Sequence, residues 1–213
     1  MYHCDNGPSP ERFAYILAGG KSSRFGSSKA LVKIAGVPQI QRLAKELDAD
    51  SWQSVAVSQN FDEFQSLGLR TLGDIEPDQG PVAGILAGLI DLQATGTQSR
   101  PVWPWGLFIT CDLWKWDPRW TERLRPPSDT DCGDTVPEVA LLIHFQADRF
   151  YPFPCMIHRD ALPKIQQAWR SGCRSMRQLF ESLAPSAIPR DLSEDFLPES
   201  FNTLEEFKRL QGE

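Results

Sequence analysis

Five apolar residues, Phe13-Ala14-Tyr15-Ile16-Leu17, run straight into Ala18-Gly19-Gly20 and then into Lys21-Ser22-Ser23-Arg24-Phe25-Gly26-Ser27-Ser28-Lys29. A short buried strand that ends on small residues and two glycines must turn steeply, and a glycine backbone lets a ligand approach the main chain. A loop with exposed N–H groups and two fixed cations, Arg24 and Lys29, has the physical make-up of a polyphosphate site. It is not a Walker A loop, because the Gly-x-x-x-x-Gly-Lys-Ser/Thr spacing is absent. It is not a dinucleotide fingerprint either, because Gly-x-Gly occurs nowhere in the chain.

Downstream, short apolar runs alternate with segments of helical period. Ala30 to Gly36 reads as a short extended piece, and Ile40, Leu43, Ala44 and Leu47 recur at helical spacing after Pro38. Ser54–Ser58 reads as a second strand, Phe61 to Leu67 as one or two helical turns closed by Gly68, and Leu69–Leu72 as a third strand. Val82 to Leu92 looks helical, with Gly80, Gly84 and Gly88 four apart, a stripe that lets a strand or a ligand come close. Gly80, at the helix start, is the one best placed for a ligand. Thr95 to Pro104 reads as a polar connection and Gly106–Thr110 as a buried strand running into Cys111-Asp112.

Trp114, Trp116 and Trp120 cluster next, as core anchors or as a contact surface, and Arg125 to Val136 reads as a loop. Glu138 to Phe145 is a further strand, while Pro152 and Pro154 demote Phe150–Ile157 to an edge or irregular strand. Three helices close the chain: one capped by Asp160, one over Ser175–Leu183, and one over Thr203–Leu210 with a capping box of Thr203 and Glu206. Strands alternating with helices predict an α/β fold, a single-domain, doubly wound, mostly parallel sheet flanked by helices. Ligands of such sheets bind outside the carboxyl ends of the strands. The Gly19 loop, Asn60, Asp74 and Asp112 all fall at such ends.

Bulk properties narrow the function. Of 213 residues, 41% are hydrophobic and 23% charged, as in folded globular chains. The net charge of −6 argues against a nucleic-acid partner but not against a nucleotide, which needs only a local basic patch. No run of 18 apolar residues suggests a membrane span. Cys4, Cys111, Cys132, Cys155 and Cys173 are odd in number and lack metal-site spacing, which reads as reduced thiols in a cytoplasmic protein. His3, His144 and His158 are isolated and form no metal set or triad. Residues 1–12 read as a flexible lead-in without the apolar region of a signal peptide, and 13–213 as one domain.

Leu17-Ala18-Gly19-Gly20-x-Ser22-x-Arg24-x-Gly26-x-x-Lys29 resembles the signature of nucleotidyltransferases that activate sugars, alcohols and molybdopterin. With Lys29-Ala30-Leu31 it is most similar to the molybdenum cofactor guanylyltransferase family. Val57-Ser58-Gln59-Asn60, Asp74 with Gly80-Pro81-Val82-Ala83-Gly84, Thr110-Cys111-Asp112 and Phe201-Asn202-Thr203-x-Glu205-Glu206 resemble later family segments in the same order. The likeness spans residues 13 to 211. It implies a Rossmann-like nucleotidyltransferase domain over 13–213 that takes GTP and the molybdopterin cofactor as substrates and Mg²⁺ as cofactor. Leu17, Ala18, Gly19 and Gly20 would lie along the guanine and ribose, and Arg24 and Lys29 would face the triphosphate. Asn60, Asp74 and Gly80 would contribute to nucleotide binding, and Asp112 would bind the metal. Arg24, Lys29 and Asp112 would carry the chemistry, with molybdoenzymes or a helper GTPase as further partners.

The chain departs from the family at several positions. Phe25 replaces the usual Met, and Ser28 replaces an Asp before the loop lysine. Trp114 stands where Pro is usual, and Ser200 where the first of two flanking Asn is found. Two other readings stay open. One is a transferase of another nucleotide, such as a molybdopterin cytidylyltransferase, against which the Gly19-Gly20 pair speaks. The other is a non-catalytic protein that binds and delivers cofactor, against which the joint presence of Arg24, Lys29, Asp74 and Asp112 speaks.

Overall fold

A computed structural model describes residues 10–19, 28–95, 101–126, 141–146, 149–191 and 197–212. In chain order the elements are β1 (Glu11–Leu17), a hairpin of β2 (Lys33–Ile34) and β3 (Val37–Pro38), α1 (Gln39–Ala49), β4 (Gln53–Val57), α2 (Phe61–Ser66), β5 (Arg70–Leu72) and α3 (Pro81–Thr95). There follow β6 (Val102–Thr110), α4 (Arg119–Arg123), β7 (Leu141–Gln146), β8 (Arg149–His158), α5 (Leu162–Arg170), α6 (Met176–Ser182), β9 (Ala187–Asp191) and α7 (Leu204–Gln211). The seven-stranded sheet has the order β5-β4-β1-β6-β8-β7-β9. Four neighbouring strands, β5, β4, β1 and β6, run parallel, and β8 is antiparallel to both its neighbours. The α/β, mostly parallel sheet expected from the alternation is present.

The centre of β1 is buried on both faces, as a parallel strand covered by helices must be. Its side chains alternate between two cores. Phe13, Tyr15 and Leu17 join Val82, Ile85, Leu89, Ile165 and Leu179 on the α3, α5 and α6 side. Ala14 and Ile16 join Ile40, Leu43, Leu47, Phe64 and Trp120 on the α1, α2 and α4 side. A smaller cluster of Phe201 and Phe207, with Val32, Ile34 and Trp114 against it, seats α7 on the β2–β3 hairpin. That hairpin is where Ala30–Gly36 was expected to be simply extended. Ala35 and Gly36 both take positive φ, 49° and 82°, which closes a two-residue hairpin turn.

Three expectations are corrected. Strand β8 is irregular, as one of its two readings had it, but interior rather than at the edge, because its prolines fall where no ladder donor is needed. Pairing with β7 skips from Met156 to Tyr151 across an irregularity, and pairing with β6 begins only at Cys155, so Pro152 and Pro154 lie between the paired stretches. Asp160 does not cap the following helix. His158 Nδ1 accepts from the Asp160 N–H at 3.2 Å to cap a short 3₁₀ turn, and α5 begins after it with Pro163 in its first turn. The polar connection expected through Pro104 ends earlier, since β6 starts at Val102. Trp116 and Trp120 are core anchors: their rings meet edge to face at 5.3 Å, and Trp116 Nε1 donates to Asp50 at 3.1 Å. The predicted capping box of Thr203 with Glu206 forms at α7, and the structure adds a second one, Ser175 with Gln178, at α6. The N-terminal lead-in through residue 9 and the strand start at Glu138–Ala140 lie outside the described residues. Among the described residues no helix is long and apolar enough to cross a membrane.

Candidate functional site

Leu17, the last residue of β1, is paired with Val57 on one side and Thr110 on the other. Ladder-like bonds carry this edge slightly further: Ala18 N–H donates to Val57 O, Cys111 N–H to Leu17 O and Ser58 N–H to Leu72 O. The chain segments leaving β1, β4, β5 and β6 therefore emerge side by side at one end of the sheet. The chain leaves β1 toward β4 and β5 and leaves β6 toward β8 and β7 on the other side, so the crevice between β1 and β6 is where parallel α/β sheets take their ligands.

A cavity of about 480 Å³ opens there, lined by Leu17, Gly19, Asp74, Asp78, Gly80, Pro81, Gly84, Thr110 and Phe153. Its floor depends on missing side chains. A Cβ on Gly19 would collide with Asp74 Oδ2, and one on Gly84 would come within 2.9 Å of Leu17 Cδ2 and 3.1 Å of Asp74 Oδ1. The Asp74 carboxyl is thus wedged between the β1 loop and α3. Burial, and then the neighbouring charge of Asp78, push its pKa above the usual carboxylate range. Gly80 has φ of 86° and a Cβ there would lie 2.6 Å from the Arg174 carbonyl oxygen, so glycine is required on two counts.

Thr110 links this cavity to a charged cluster. Its Oγ1 donates to Asp112 Oδ1 at 2.6 Å. The other oxygen of Asp112 takes Lys29 Nζ at 3.3 Å, and Lys29 also donates to Asn202 Oδ1 at 2.9 Å. The ion pair is largely shielded, with side chains 15% and 21% exposed. Asn202 is itself held, its N–H donating to Glu206 Oε2 at 2.5 Å beside the α7 capping box. Next to Asp112 the Cys111 thiol is pushed up to about 12, first by burial and then by Asp112, so it stays protonated and is no nucleophile. Lys29 sits in a 3₁₀ turn, Lys29–Leu31, that packs Ala30 into the core and fixes where the side chain starts.

Of the residues singled out from sequence, Leu17, Gly19, Asp74 and Gly80 come together around the cavity, and Lys29 and Asp112 form the adjoining cluster. Ala18 is half-buried at the same edge but does not line the cavity, and Asn60 is exposed at the start of α2. Gly20 and Arg24 lie outside the described residues. Asp78 and Phe153 line the cavity without having been singled out. The only sequence signals near them were the turn-forming Pro77 and Gly80, and the proline pair around Phe153.

A parallel sheet with its cavity at this point is the arrangement of α/β mononucleotide-binding proteins. Residues 14–187 match the family model described as the MobA-like NTP transferase domain, and the chain belongs to that family. Among curated relatives it is 28% identical over 204 residues to a molybdenum cofactor guanylyltransferase from Cupriavidus metallidurans, covering 93% of each chain. It is 26% identical over 176 residues to one from Serratia proteamaculans, covering 81% of each. Among solved structures the fold matches molybdopterin-guanine dinucleotide biosynthesis protein A from Archaeoglobus fulgidus, with a TM-score of 0.69 at 18% identity, covering 93% of this chain and 96% of that one.

Proposed function

We propose that this protein is a cytoplasmic molybdenum cofactor guanylyltransferase. It transfers GMP from GTP to the terminal phosphate of the molybdopterin cofactor and releases pyrophosphate. The observation that carries this reading is the continuity of the site: a nucleotide-sized cavity ends at Thr110, and Thr110 holds the carboxylate that faces Lys29. The curated relatives named as guanylyltransferases support the choice of reaction.

An oxygen of the acceptor phosphate attacks the α-phosphorus of GTP. A P–O bond forms there while the bond from the α-phosphorus to the bridging oxygen breaks, and pyrophosphate leaves with that oxygen. The acceptor phosphate is already ionised, so no side-chain nucleophile is needed. The protein's part is alignment and neutralisation of charge on the α-phosphate and the leaving group. Lys29, held by Asp112 and Asn202, and Arg24 of the same loop are the cations for this task. Leu17, Ala18, Gly19 and Gly20 border guanine and ribose, and Asn60, Asp74 and Gly80 complete the nucleotide site.

The donors at the end of β6 suit a divalent ion, here Mg²⁺. Asp112 and Thr110 offer hard oxygens, and among the described residues no group of three or more His, Cys, Asp or Glu converges. Such a site would rely on one carboxylate together with substrate phosphates, which is how Mg²⁺ is held in many nucleotide enzymes. When bound, the ion supplies further neutralisation of the developing phosphate charge. Delivery of product to molybdoenzymes, or help from a separate GTPase, belongs to the same reading. The test is incubation with molybdopterin cofactor, GTP and Mg²⁺, with detection of guanine dinucleotide and pyrophosphate. GTP at about a hundredfold over its Kd should stabilise the fold by ~2.7 kcal/mol and raise Tm by roughly 5–10 °C, more than ATP or CTP. Equal shifts for all three would overturn the choice of guanine, and binding without pyrophosphate release would favour a delivery protein.

A further inference from the structure

We propose that Gln39 is a positioning residue for the transfer step: it ties the turn that carries Asp112 to the turn that carries Lys29, so that carboxylate and ammonium meet. The inference rests on the reading of those two residues as the charged part of a nucleotidyltransferase site. Gln39 is the first residue of α1 and is fully buried, on the inward stripe with Ile40, Leu43, Ala44 and Leu47. An amide in such a place costs stability unless its polar atoms are bonded. Here they are bonded, and the bonds run toward the site.

The main chain of Gln39 reaches one segment and its side chain the other. Its N–H donates to Val32 O at 2.8 Å, and Val32 closes the 3₁₀ turn that starts with Lys29. Its Nε2 donates to the carbonyl of Leu113, 74 residues later and next to Asp112. Leu113 closes the turn at the end of β6, its N–H donating to Thr110 O at 3.2 Å. The amide has one orientation: Leu113 O only accepts, while Oε1 takes Arg42 Nε at 3.1 Å and Nη2 at 2.9 Å, from a guanidinium that only donates. Arg42 is held by Glu46 at 2.9 Å, and the other oxygen of Glu46 accepts the Trp116 N–H at 2.8 Å. The Arg42 guanidinium also lies 5.2 Å from the centre of the Trp114 ring. Gln39, Arg42 and Glu46 thus pin residues 113–116 along α1. The other edge of that segment pairs with the chain before α7. Trp114 N–H donates to Glu199 O at 2.7 Å and Phe201 N–H to Asp112 O at 3.1 Å, which brings Asn202 to Lys29. A displacement on the order of 1 Å in such a cluster costs about 100-fold in rate.

The test is Gln39→Met, which fills similar space and removes the amide. Arg42→Met is a second variant, should the first misfold, because it releases Gln39 Oε1 and leaves the buried stripe of α1 intact. Wild type and variants are compared in kcat for pyrophosphate release with GTP, molybdopterin cofactor and Mg²⁺, and in the GTP dissociation constant. A third readout is the rate at which acetic anhydride labels Lys29 relative to Lys164 in α5, followed by peptide mass. Gln39→Met should lower kcat by about 10- to 100-fold and leave GTP affinity within about twofold, because Gln39 does not line the cavity. It should also speed labelling of Lys29, which its ion pair with Asp112 now shields. Arg42→Met should do the same to a lesser degree. A residue that only filled space would be replaced by Met with kcat and relative labelling unchanged, and that result overturns the assignment. So does a fall in kcat matched by a fall in GTP affinity, with Lys29 labelled at the wild-type rate. If wild type itself releases no pyrophosphate, the transferase reading fails, and the labelling ratio still decides whether Gln39 places Lys29.

Discussion

Gly88→Ala separates a packing glycine from a ligand-facing one. Gly88 lies in α3, four residues after Gly84, on the same stripe. A Cβ there would stand 2.7 Å from Phe108 Cε1 and 2.9 Å from Tyr15 Cγ, against the usual 3.5–4 Å of carbon contacts. Neither ring can move aside easily. They stack on each other with centroids 5.1 Å apart, and both are fully buried. The Tyr15 hydroxyl is tethered to Asp91 at 3.0 Å, and Asp91 also pairs with Arg70. Alanine in a helix interior gains about 1 kcal/mol over glycine. Overpacking a core typically costs about 1–3 kcal/mol, and with both neighbours fixed the upper end applies. The net is a loss of about 2 kcal/mol, or roughly 4–8 °C in Tm for a domain of this size. Urea unfolding gives the energy directly, and a nucleotide titration of the same protein should show unchanged GTP affinity, because Gly88 does not line the cavity. Gly84→Ala should do the reverse, weakening GTP through Leu17 and Asp74. A Gly88→Ala protein as stable as wild type would refute the reasoning, and lost nucleotide affinity at wild-type stability would show that a ligand reaches that face.

Lys29→Ala and Asp112→Ala should each abolish pyrophosphate release while leaving far-UV circular dichroism unchanged, and wild-type turnover in either would remove that residue from the site. His144 is buried, and neither ring nitrogen has a hydrogen-bond partner. Burial, then Arg123 and Arg190, lower its pKa from 6.5 to about 4, so its contribution to stability is complete above pH 6.5 and is lost as pH falls toward 4, by at most about 3 kcal/mol. His144→Leu should flatten that part of the curve, measured as the change in urea midpoint between pH 7 and pH 5, and an equal change in both proteins would refute it.

The parallel half of the sheet was legible because its information is local. Each of β1, β4 and β6 is a compact apolar run bounded by polar or small residues, α1 carries one apolar stripe, and α3 is apolar almost all round. The other half was harder to read because its rules are tertiary. Two prolines in β8 argue for an edge when only that strand is considered, and they are tolerated only because both neighbours leave that stretch unpaired. Strand β9 was not foreseen: Ala187–Asp191 is short and contains Pro189, and its parallel place beside β7 depends on where α6 ends. The tryptophans were legible as large apolar groups but not as inward-facing ones, since Trp116 is fixed by Glu46 and Asp50, some 70 residues earlier.

The same distinction runs through the site. Residues that sit at strand ends could be picked from sequence, because a strand's end can be picked. Asp78 and Phe153 could not, because a turn and a neighbouring strand bring them to the cavity. Ser28 shows how a local departure is absorbed by distant chain. A carboxylate just before the loop lysine would have been a neighbour for its charge, and serine removes it. In the fold Ser28 instead opens the 3₁₀ turn, its carbonyl accepting from Leu31 N–H at 3.1 Å. Lys29 finds its anion 83 residues away in Asp112 and its second acceptor 173 residues away in Asn202. The ammonium is therefore placed by β6 and the segment before α7, not by its own loop. The loop can then vary beside Lys29 without displacing the charge, so long as Asp112 and Asn202 stay where the sheet and the α7 capping box put them.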